Sequence, residues 1–224
     1  MKTRSMGWAA IVMAGSILFF VIMFAAVYPA AGISGGDFSS GEVFLPFSQE
    51  NPVLATAPFA VGIVMHVAGV VLVIGLWFQL RDRSPWVGVA AALGIVWMAF
   101  DIAYNGIAIH VIPELSRLAP DPSLYTGYTV LVASLAALQL TGHLAGGLWL
   151  STTAFVGLKS GQLPKNLGWF GVGVGAVFAL SILGPNVLYP SFILLPTWLG
   201  WYGLHALRSE GAFAVEIGAS SLDT

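Results

Sequence analysis

The chain has 224 residues, of which 58% are hydrophobic and only 8% are charged, and its mean hydropathy is +0.88. A soluble domain of ordinary composition carries about 25% charged residues, so this composition excludes a water-soluble globule and also a disordered chain. The net charge of -2 provides no basic surface for a nucleic acid. With no cysteine, the chain forms no disulfide, no thiolate metal site and no cysteine nucleophile.

Six segments are long and apolar enough to cross a membrane, which takes about 20 mainly apolar residues in a helix. Apolar residues occupy every face of these segments instead of alternating with polar ones, which favours helices over a membrane β-barrel. We predict an all-α fold, a polytopic membrane bundle of six transmembrane helices in a single domain, 1–224. The predicted helices are 8–29, 54–80, 86–112, 126–157, 167–185 and 190–207.

Proline and glycine set several predicted helix ends. The third helix is expected to end before Pro113, and a tight turn at 184–186 (GPN) separates the fifth helix from the sixth. Pro58 is placed in the first turn of the second helix, where a missing N–H is tolerated. Residues 209–224 are predicted to form a short, loose cytoplasmic tail.

The distribution of basic residues predicts the orientation of the bundle. A cytoplasmic N-terminus leaves Arg117 alone on the outer side. Both termini are therefore predicted to be cytoplasmic, in a multi-pass protein of a bacterial inner (cell) membrane surrounded by membrane lipid. The basic residues on the cytoplasmic side are then Lys2, Arg4, Arg81, Arg83, Lys159, Lys165 and Arg208.

The connection between the first two helices, residues 30–53, is long and rich in Gly, Ser and Pro. It carries Asp37, Glu42 and Glu50 and no basic residue. Two interpretations are open for it. It folds over the mouth of the bundle as a lid, or it is a solvated connection, which is the more ordinary outcome and the one that we favour.

Three ionisable side chains lie inside the apolar segments: His66 in the second helix, Asp101 in the third and His143 in the fourth. A central Asp costs roughly 2–3 kcal/mol on membrane-insertion scales, so such groups usually face the bundle interior. Counted from the cytoplasmic helix ends, all three lie roughly 21 Å deep, in one layer. Asn105 and Gln139 are each four residues from a member of this layer and share its helix faces.

The five residues have competing interpretations. In the first, they bond one another and only align the helices. Against this interpretation, well-packed apolar residues in place of a buried ion pair often stabilise a fold as well or better. Alternatively, a carboxylate beside imidazoles binds a small ligand or a proton, as in a small carrier or a proton relay. Three hydroxyl groups are candidates to join such a site, on Tyr104, Ser134 and Thr141.

Two further interpretations involve a cofactor or a metal. A b-type haem between His66 and His143 would use bis-histidine ligation. A metal-dependent hydrolase would use both imidazoles with Asp101, although no local zinc-motif spacing is present. The glycines that would make room for the haem macrocycle are Gly69, Gly142, Gly146 and Gly147.

The sequence therefore favours a non-enzymatic protein with an internal polar pocket that binds or transports a small ligand or a proton. No catalytic residue and no metal ligand is assigned, and no nucleophile-elbow motif of the G-x-S-x-G type is present. The alternative is a haem-carrying redox subunit or a structural subunit of a membrane complex, with the other subunits as partners.

Residues 160–169 (SGQLPKNLGW) precede a Gly-rich helix. This stretch resembles the joint between the fourth and fifth helices in a bacterial family of uncharacterised six-pass integral membrane proteins, a domain of unknown function. The layout around residues 81–85 (RDRSP) is compatible with the same family. The resemblance implies a six-helix membrane fold over most of the chain. Because the family has no agreed activity, it implies no catalytic residue.

Overall fold

The computed structural model describes residues 3–118 and 121–220, and within these ranges the chain is helical and contains no strand. The all-α prediction is therefore confirmed. A π-helical turn, Met23–Val27, interrupts the first helix. Besides a short helical turn, Pro185–Leu188, the helices are α1 (Thr3–Ala30), α2 (Gly41–Glu50), α3 (Pro52–Leu80), α4 (Trp86–Leu118), α5 (Pro122–Lys159), α6 (Lys165–Leu180) and α7 (Ser191–Ser220).

Five of these helices are long and apolar enough to cross a membrane: α1, α3, α4, α5, and α6 with its extension to Leu183. The sixth predicted span falls on α7, which is long but is not among these five. Its indole, phenol and imidazole groups at Trp198, Trp201, Tyr202 and His205 lower its apolar character. The five apolar helices are compatible with a membrane protein, and a sixth span stays a prediction.

Six of the seven helices form a closed ring. Each helix in the order α1, α3, α4, α5, α6, α7 packs against the next, and α7 packs back against α1. The backbones of α1 and α7 approach closely: a Cβ added to Gly203 would lie 2.8 Å from the carbonyl oxygen of Gly7. Similarly, a Cβ on Gly175 of α6 would lie 2.7 Å from the carbonyl oxygen of Gly147 in α5. Glycines thus let neighbouring helix backbones touch.

Two helix boundaries differ from the prediction because proline lies inside helices. The third predicted helix, α4, runs through Pro113 to Leu118. The second, α3, begins at Pro52, so that Pro58 lies well inside it. Pro58 has no N–H for the carbonyl of Leu54, and the Tyr28 hydroxyl donates to that oxygen instead, at 2.9 Å.

The last helix also differs from the prediction. α7 continues past 207 as far as Ser220, where a loose tail from residue 209 was expected. The sequence that follows Pro196 contains no proline, so nothing there removes a helical hydrogen bond. The end of the predicted tail, 221–224, lies outside the described residues.

The connection 30–53 is folded, so its interpretation as a solvated segment is wrong. It forms a 3-10 turn, Asp37–Ser39, and the helix α2, and it buries Phe44 and Leu45. A Cβ on Gly41 would lie 2.7 Å from the backbone of Tyr125, so α2 starts in direct contact with α5. We call the cluster at this end of the ring the aromatic cap; it comprises Tyr28, Phe38, Phe44, Phe47 and Tyr128.

The other end of the ring gathers the turns that carry basic residues. Arg83 and Lys159 line one depression there, from the α3–α4 and α5–α6 turns. A second depression joins the start of α1 to the α5–α6 turn and to α7, through Thr3, Gln162 and His205. We call the end of the ring that carries these two depressions the basic end. The side of the membrane that it faces stays a prediction.

Candidate functional site

A cavity of about 160 Å³ lies inside the helix ring, and all six ring helices contribute side chains to it. Most of its walls are Phe, Met, Leu and Ile side chains. We call it the central cavity. The structure brings all five predicted site residues to it: His66, Asp101, Asn105, Gln139 and His143. Their role as a site remains a prediction.

Asp101 is the centre of the arrangement and is only 1% exposed. Its Oδ2 accepts a hydrogen bond from Trp97 Nε1 at 2.7 Å. The same oxygen lies 2.9 Å from His66 Nε2 and 3.7 Å from His143 Nε2. Three nitrogens from α3, α4 and α5 therefore converge on one carboxylate oxygen.

The backbone determines which nitrogen of His66 carries a proton. Its Nδ1 lies 2.6 Å from the carbonyl oxygen of Gly62, one turn earlier in α3. A carbonyl oxygen only accepts, so Nδ1 must donate. In a neutral imidazole Nε2 would then be a bare acceptor, 2.9 Å from a second acceptor on Asp101.

Two bare acceptors at that distance repel each other, so the pair must hold one further proton. Either His66 is an imidazolium beside the Asp101 carboxylate, or the carboxylic acid faces a neutral ring. A hydrogen on His66 Nε2 would not point directly at Asp101 Oδ2. The two atoms are therefore close enough for an ion pair but lack hydrogen-bond geometry. In both forms the pair has zero net charge.

Helical spacing of four residues builds this arrangement. Trp97, Asp101 and Asn105 follow one another on a single face of α4, and Asn105 Nδ2 donates to the Asp101 carbonyl at 2.6 Å. Gly62 and His66 repeat the spacing on α3. A side chain at Gly62 would overlap the Asn105 amide, so this glycine allows the two helices to approach.

The two polar side chains from α5 lack such partners. His143 is 6% exposed and its Nδ1 has no hydrogen bond. Its ring rests against Phe178, with 4.5 Å between the ring centroids. Gln139 lines the cavity half-buried and makes no hydrogen bond to the described part of the chain. Buried polar groups without partners are uncommon in folded proteins, and each requires a specific explanation.

Sequence reasoning missed two polar groups of the cavity. Trp97 was not assigned to the site, although its position four residues before Asp101 was a usable signal. Ser191 also lines the cavity, and its buried hydroxyl has no hydrogen bond. No pattern in the sequence pointed to Ser191, because its place depends on where α7 begins.

The expected hydroxyl groups are only partly present. Tyr104 lines the central cavity. Ser134 and Thr141 are exposed, and their hydroxyls donate to carbonyl oxygens of their own helix at 2.8 and 2.9 Å. The expectation that these two hydroxyls join the site was wrong. A Ser or Thr hydroxyl in a helix can donate to a carbonyl oxygen of its own helix and does not need to face inward.

The residues do not fit a haem. The space beside Gly69 is filled by Met98, that beside Gly146 by Trp97, and that beside Gly147 by the backbone of α6. Three of the four glycines expected to admit a macrocycle therefore serve helix packing, and a Cβ on the fourth, Gly142, would lie 3.3–3.6 Å from Phe100, Asp101 and Trp97. The Asp101 carboxylate also lies within 4 Å of both imidazoles, where the iron would have to bind.

A metal site is not formed either. In the part of the chain that the structure describes, no group of three His, Cys, Asp or Glu residues could hold a metal ion. Both imidazoles approach one carboxylate oxygen, whereas zinc ligands share a point about 2.0–2.2 Å from each donor atom.

No protein-family model, curated protein or solved structure matches this chain. The resemblance to the six-pass family is therefore not tested by a comparison. The geometry of the central cavity is the basis on which a function can be proposed.

Proposed function

We propose that this chain is a six-span bacterial inner-membrane protein, of the six-pass family that it resembles, with both termini in the cytoplasm. In support of a sixth span, α7 fills the place between α1 and α6 and closes the ring. An even number of spans would also put the start of α1 and the late part of α7 at the same end, next to the basic turns.

We further propose that the protein binds a small ligand in the central cavity and couples this binding to a proton. One observation carries the proposal: His66 Nδ1 donates its proton to the Gly62 carbonyl, which leaves Nε2 facing the Asp101 carboxylate and favours a second proton on the pair. A buried proton held beside a cavity can move when a ligand changes the hydrogen bonds around it.

His143 supplies a second partner for the same proton. Its Nε2 lies 3.7 Å from the Asp101 oxygen, against 2.9 Å for His66, a difference of 3.7 − 2.9 = 0.8 Å. A side-chain rotation that moves His143 Nε2 by this distance would bring it within hydrogen-bond distance of Asp101. Asp101 would then face a choice between two imidazoles, which is the arrangement a small proton relay or proton-coupled carrier requires. This function needs no nucleophile and no metal.

Nuclear magnetic resonance of ¹⁵N-histidine in the full chain, reconstituted in lipid nanodiscs, tests the proposal. We expect His66, assigned through a His66→Gln variant, to have a protonated Nδ1 and an Nε2 whose shift reports a shared proton at neutral pH. Asp101→Asn should convert His66 to an ordinary neutral ring, because an amide oxygen cannot hold that proton.

Glu114→Gln is the matched control, since Glu114 is an exposed acid on the same helix and pairs with Arg117 at 2.7 Å, away from the central cavity. It should leave the His66 signals unchanged. Identical His66 signals in the wild type and in Asp101→Asn would overturn the proposal.

A further inference from the structure

We infer that the central cavity takes an uncharged, mainly apolar molecule of single-ring size that carries one hydroxyl group, with the hydroxyl between His143 and Gln139. The inference names the ligand class for the proposed site and therefore rests on the proposed function. Three properties of the cavity carry it: its volume, its charge and the polar atoms that lack partners.

The volume limits the ligand to about one ring. The cavity measures about 160 Å³, and an apolar protein cavity of about 150 Å³ is known to hold benzene. Phe20, Phe178 and Phe192 are among its walls, which suit the face or edge of a ring. A larger ligand would have to displace Phe24 or Tyr104, which separate this cavity from the space under the aromatic cap.

The charge of the cavity favours a neutral ligand. Among the described residues, no Lys or Arg lines it, so these residues offer an anion no counter-charge. The carboxylate that would attract a cation is already compensated by the proton it shares with His66. A charged molecule would lose its hydration without gaining a partner, and in the interior of a membrane protein that loss is prohibitive.

The polar groups that would bind the hydroxyl lie on one face of α5, and we call Gln139 and His143 together the polar seat. Gln139 and His143 are four residues apart, both line the cavity, and neither has a hydrogen bond within the described residues. A hydroxyl group both donates and accepts, so it can donate to an imidazole nitrogen and accept from the amide N–H. A plain hydrocarbon would leave both side chains unsatisfied.

Water is the competing occupant. A buried water needs about two to four polar partners, and it would leave the aromatic and aliphatic walls of the cavity without contacts. A ring with one hydroxyl satisfies the polar seat and fills the apolar space as well.

Fluorine NMR on the full chain in lipid nanodiscs tests the inference, with 4-fluorophenol, fluorobenzene and 4-fluorobenzylammonium as probes. Empty nanodiscs give the signal of probe dissolved in lipid. We expect saturable binding of 4-fluorophenol, about five- to tenfold weaker binding of fluorobenzene, the effect of about one hydrogen bond, and no saturable binding of the ammonium probe.

Gln139→Leu should weaken the binding of 4-fluorophenol by the same about five- to tenfold and leave that of fluorobenzene unchanged. Thr141→Val is the matched control, because Thr141 is exposed on the same helix and bonds its own backbone. If Gln139→Leu does not fold, Ile17→Phe provides a second variant. Ile17 lines the cavity from α1, and the larger ring should abolish binding of all probes.

Equal binding of 4-fluorophenol and fluorobenzene, or equal effects of Gln139→Leu and Thr141→Val, would overturn the inference. No saturable binding of any probe would mean that water alone occupies the cavity, and this result would overturn the inference too. Tight binding of the ammonium probe would do so by revealing an uncompensated carboxylate. The histidine NMR experiment is independent: a shared proton without phenol binding refutes the ligand class alone, and the absence of a shared proton refutes the proposed function.

Discussion

The central cavity and the cavity under the aromatic cap are neighbours of similar size, about 160 and 150 Å³, and they share the wall residues Phe24, Pro58, Phe59 and Tyr104. They differ in how their polar groups are treated. Under the cap, the hydroxyls of Tyr28 and Tyr128 each donate to a backbone carbonyl at 2.9 Å. In the central cavity, several buried polar atoms have no hydrogen-bond partner among the described residues.

This difference distinguishes a region built for packing from the region that we propose to bind a ligand. A tyrosine hydroxyl that donates to a backbone carbonyl stabilises the fold, and neither group is left without a partner that a ligand could replace. Polar side chains that are buried unsatisfied cost stability, so their presence in the central cavity needs a compensating use. Changes in the cap should therefore lower the stability of the fold and spare the site, and changes in the central cavity should alter the site at a smaller cost in stability.

The largest expected effect is that of Phe44→Ala in the aromatic cap. Phe44 is 2% exposed and contacts the rings of Phe38, Phe47 and Tyr128. The truncation should lower the free energy of unfolding by about 3–5 kcal/mol and leave the histidine NMR signals of the folded protein unchanged. Denaturant unfolding in mixed micelles measures it, with the neighbouring Val43→Ala, at a 39% exposed position, as the control.

Tyr28→Phe tests the hydrogen bond that makes Pro58 tolerable inside α3. Without the hydroxyl, the Leu54 carbonyl has neither a helical N–H nor a phenol to accept from. We expect a loss of about 1–3 kcal/mol in the free energy of unfolding. Tyr189→Phe, at a 62% exposed position, should change it by less than about 0.5 kcal/mol. Equal effects of the two variants would contradict the account of Pro58.

Asp101→Leu tests whether the central layer is structural. Because the pair is neutral as a whole, His66 can lose its further proton when the acid is removed. The Trp97 N–H and His66 Nε2 are then left without a partner, but no charge is stranded. The expected cost is about 1–2 kcal/mol of unfolding free energy, together with loss of the shared-proton NMR signal. A loss of about 3–5 kcal/mol, as for a stranded buried charge, would instead support a purely structural layer.

The smallest expected effect concerns pH at the edge of the cap. The pKa of Asp37 is lowered below its ordinary value of 3.8 by hydrogen bonds from the Ser34 hydroxyl and backbone N–H, each 2.7 Å long. A lowered folded-state pKa adds stability above pH 3.8, which is lost as the pH falls through the folded-state value.

Hydrogen exchange of the amides in residues 34–40 measures this effect. In the wild type, protection should be constant above pH 3.8 and fall as the pH drops below it. In Asp37→Asn it should be lower at neutral pH and nearly independent of pH. Equal protection in both proteins at neutral pH would contradict the role of the carboxylate.

Much of the site was predictable because a membrane restricts where ionisable groups lie. Counting residues from the helix ends put His66, Asp101 and His143 in one layer, and the structure places both imidazoles within 4 Å of the carboxylate. The spacing of four residues predicted the faces of Asn105 and Gln139. Depth and face follow from helix geometry alone, so no knowledge of the packing was needed.

The rest depended on tertiary contacts. Pro58 and Pro113 were expected at helix ends because an isolated helix cannot satisfy the carbonyl that a proline leaves free. The hydroxyl of Tyr28, 26 residues away from its acceptor, does so for Pro58. The segment 30–53 was predicted to be solvated because its glycines and serines dilute the buried aromatic residues.

The closed ring has a consequence for biosynthesis. Neighbours in the ring are consecutive along the chain, with the short α2 set aside, except where α7 meets α1 at Gly203 and Gly7. In the proposed membrane bundle, α1 would therefore enter the bilayer before its ring partner α7 is made. Until α7 has been synthesised, the ring stays open between α1 and α6, and the central cavity lacks the wall that Ser191, Phe192 and Leu195 provide.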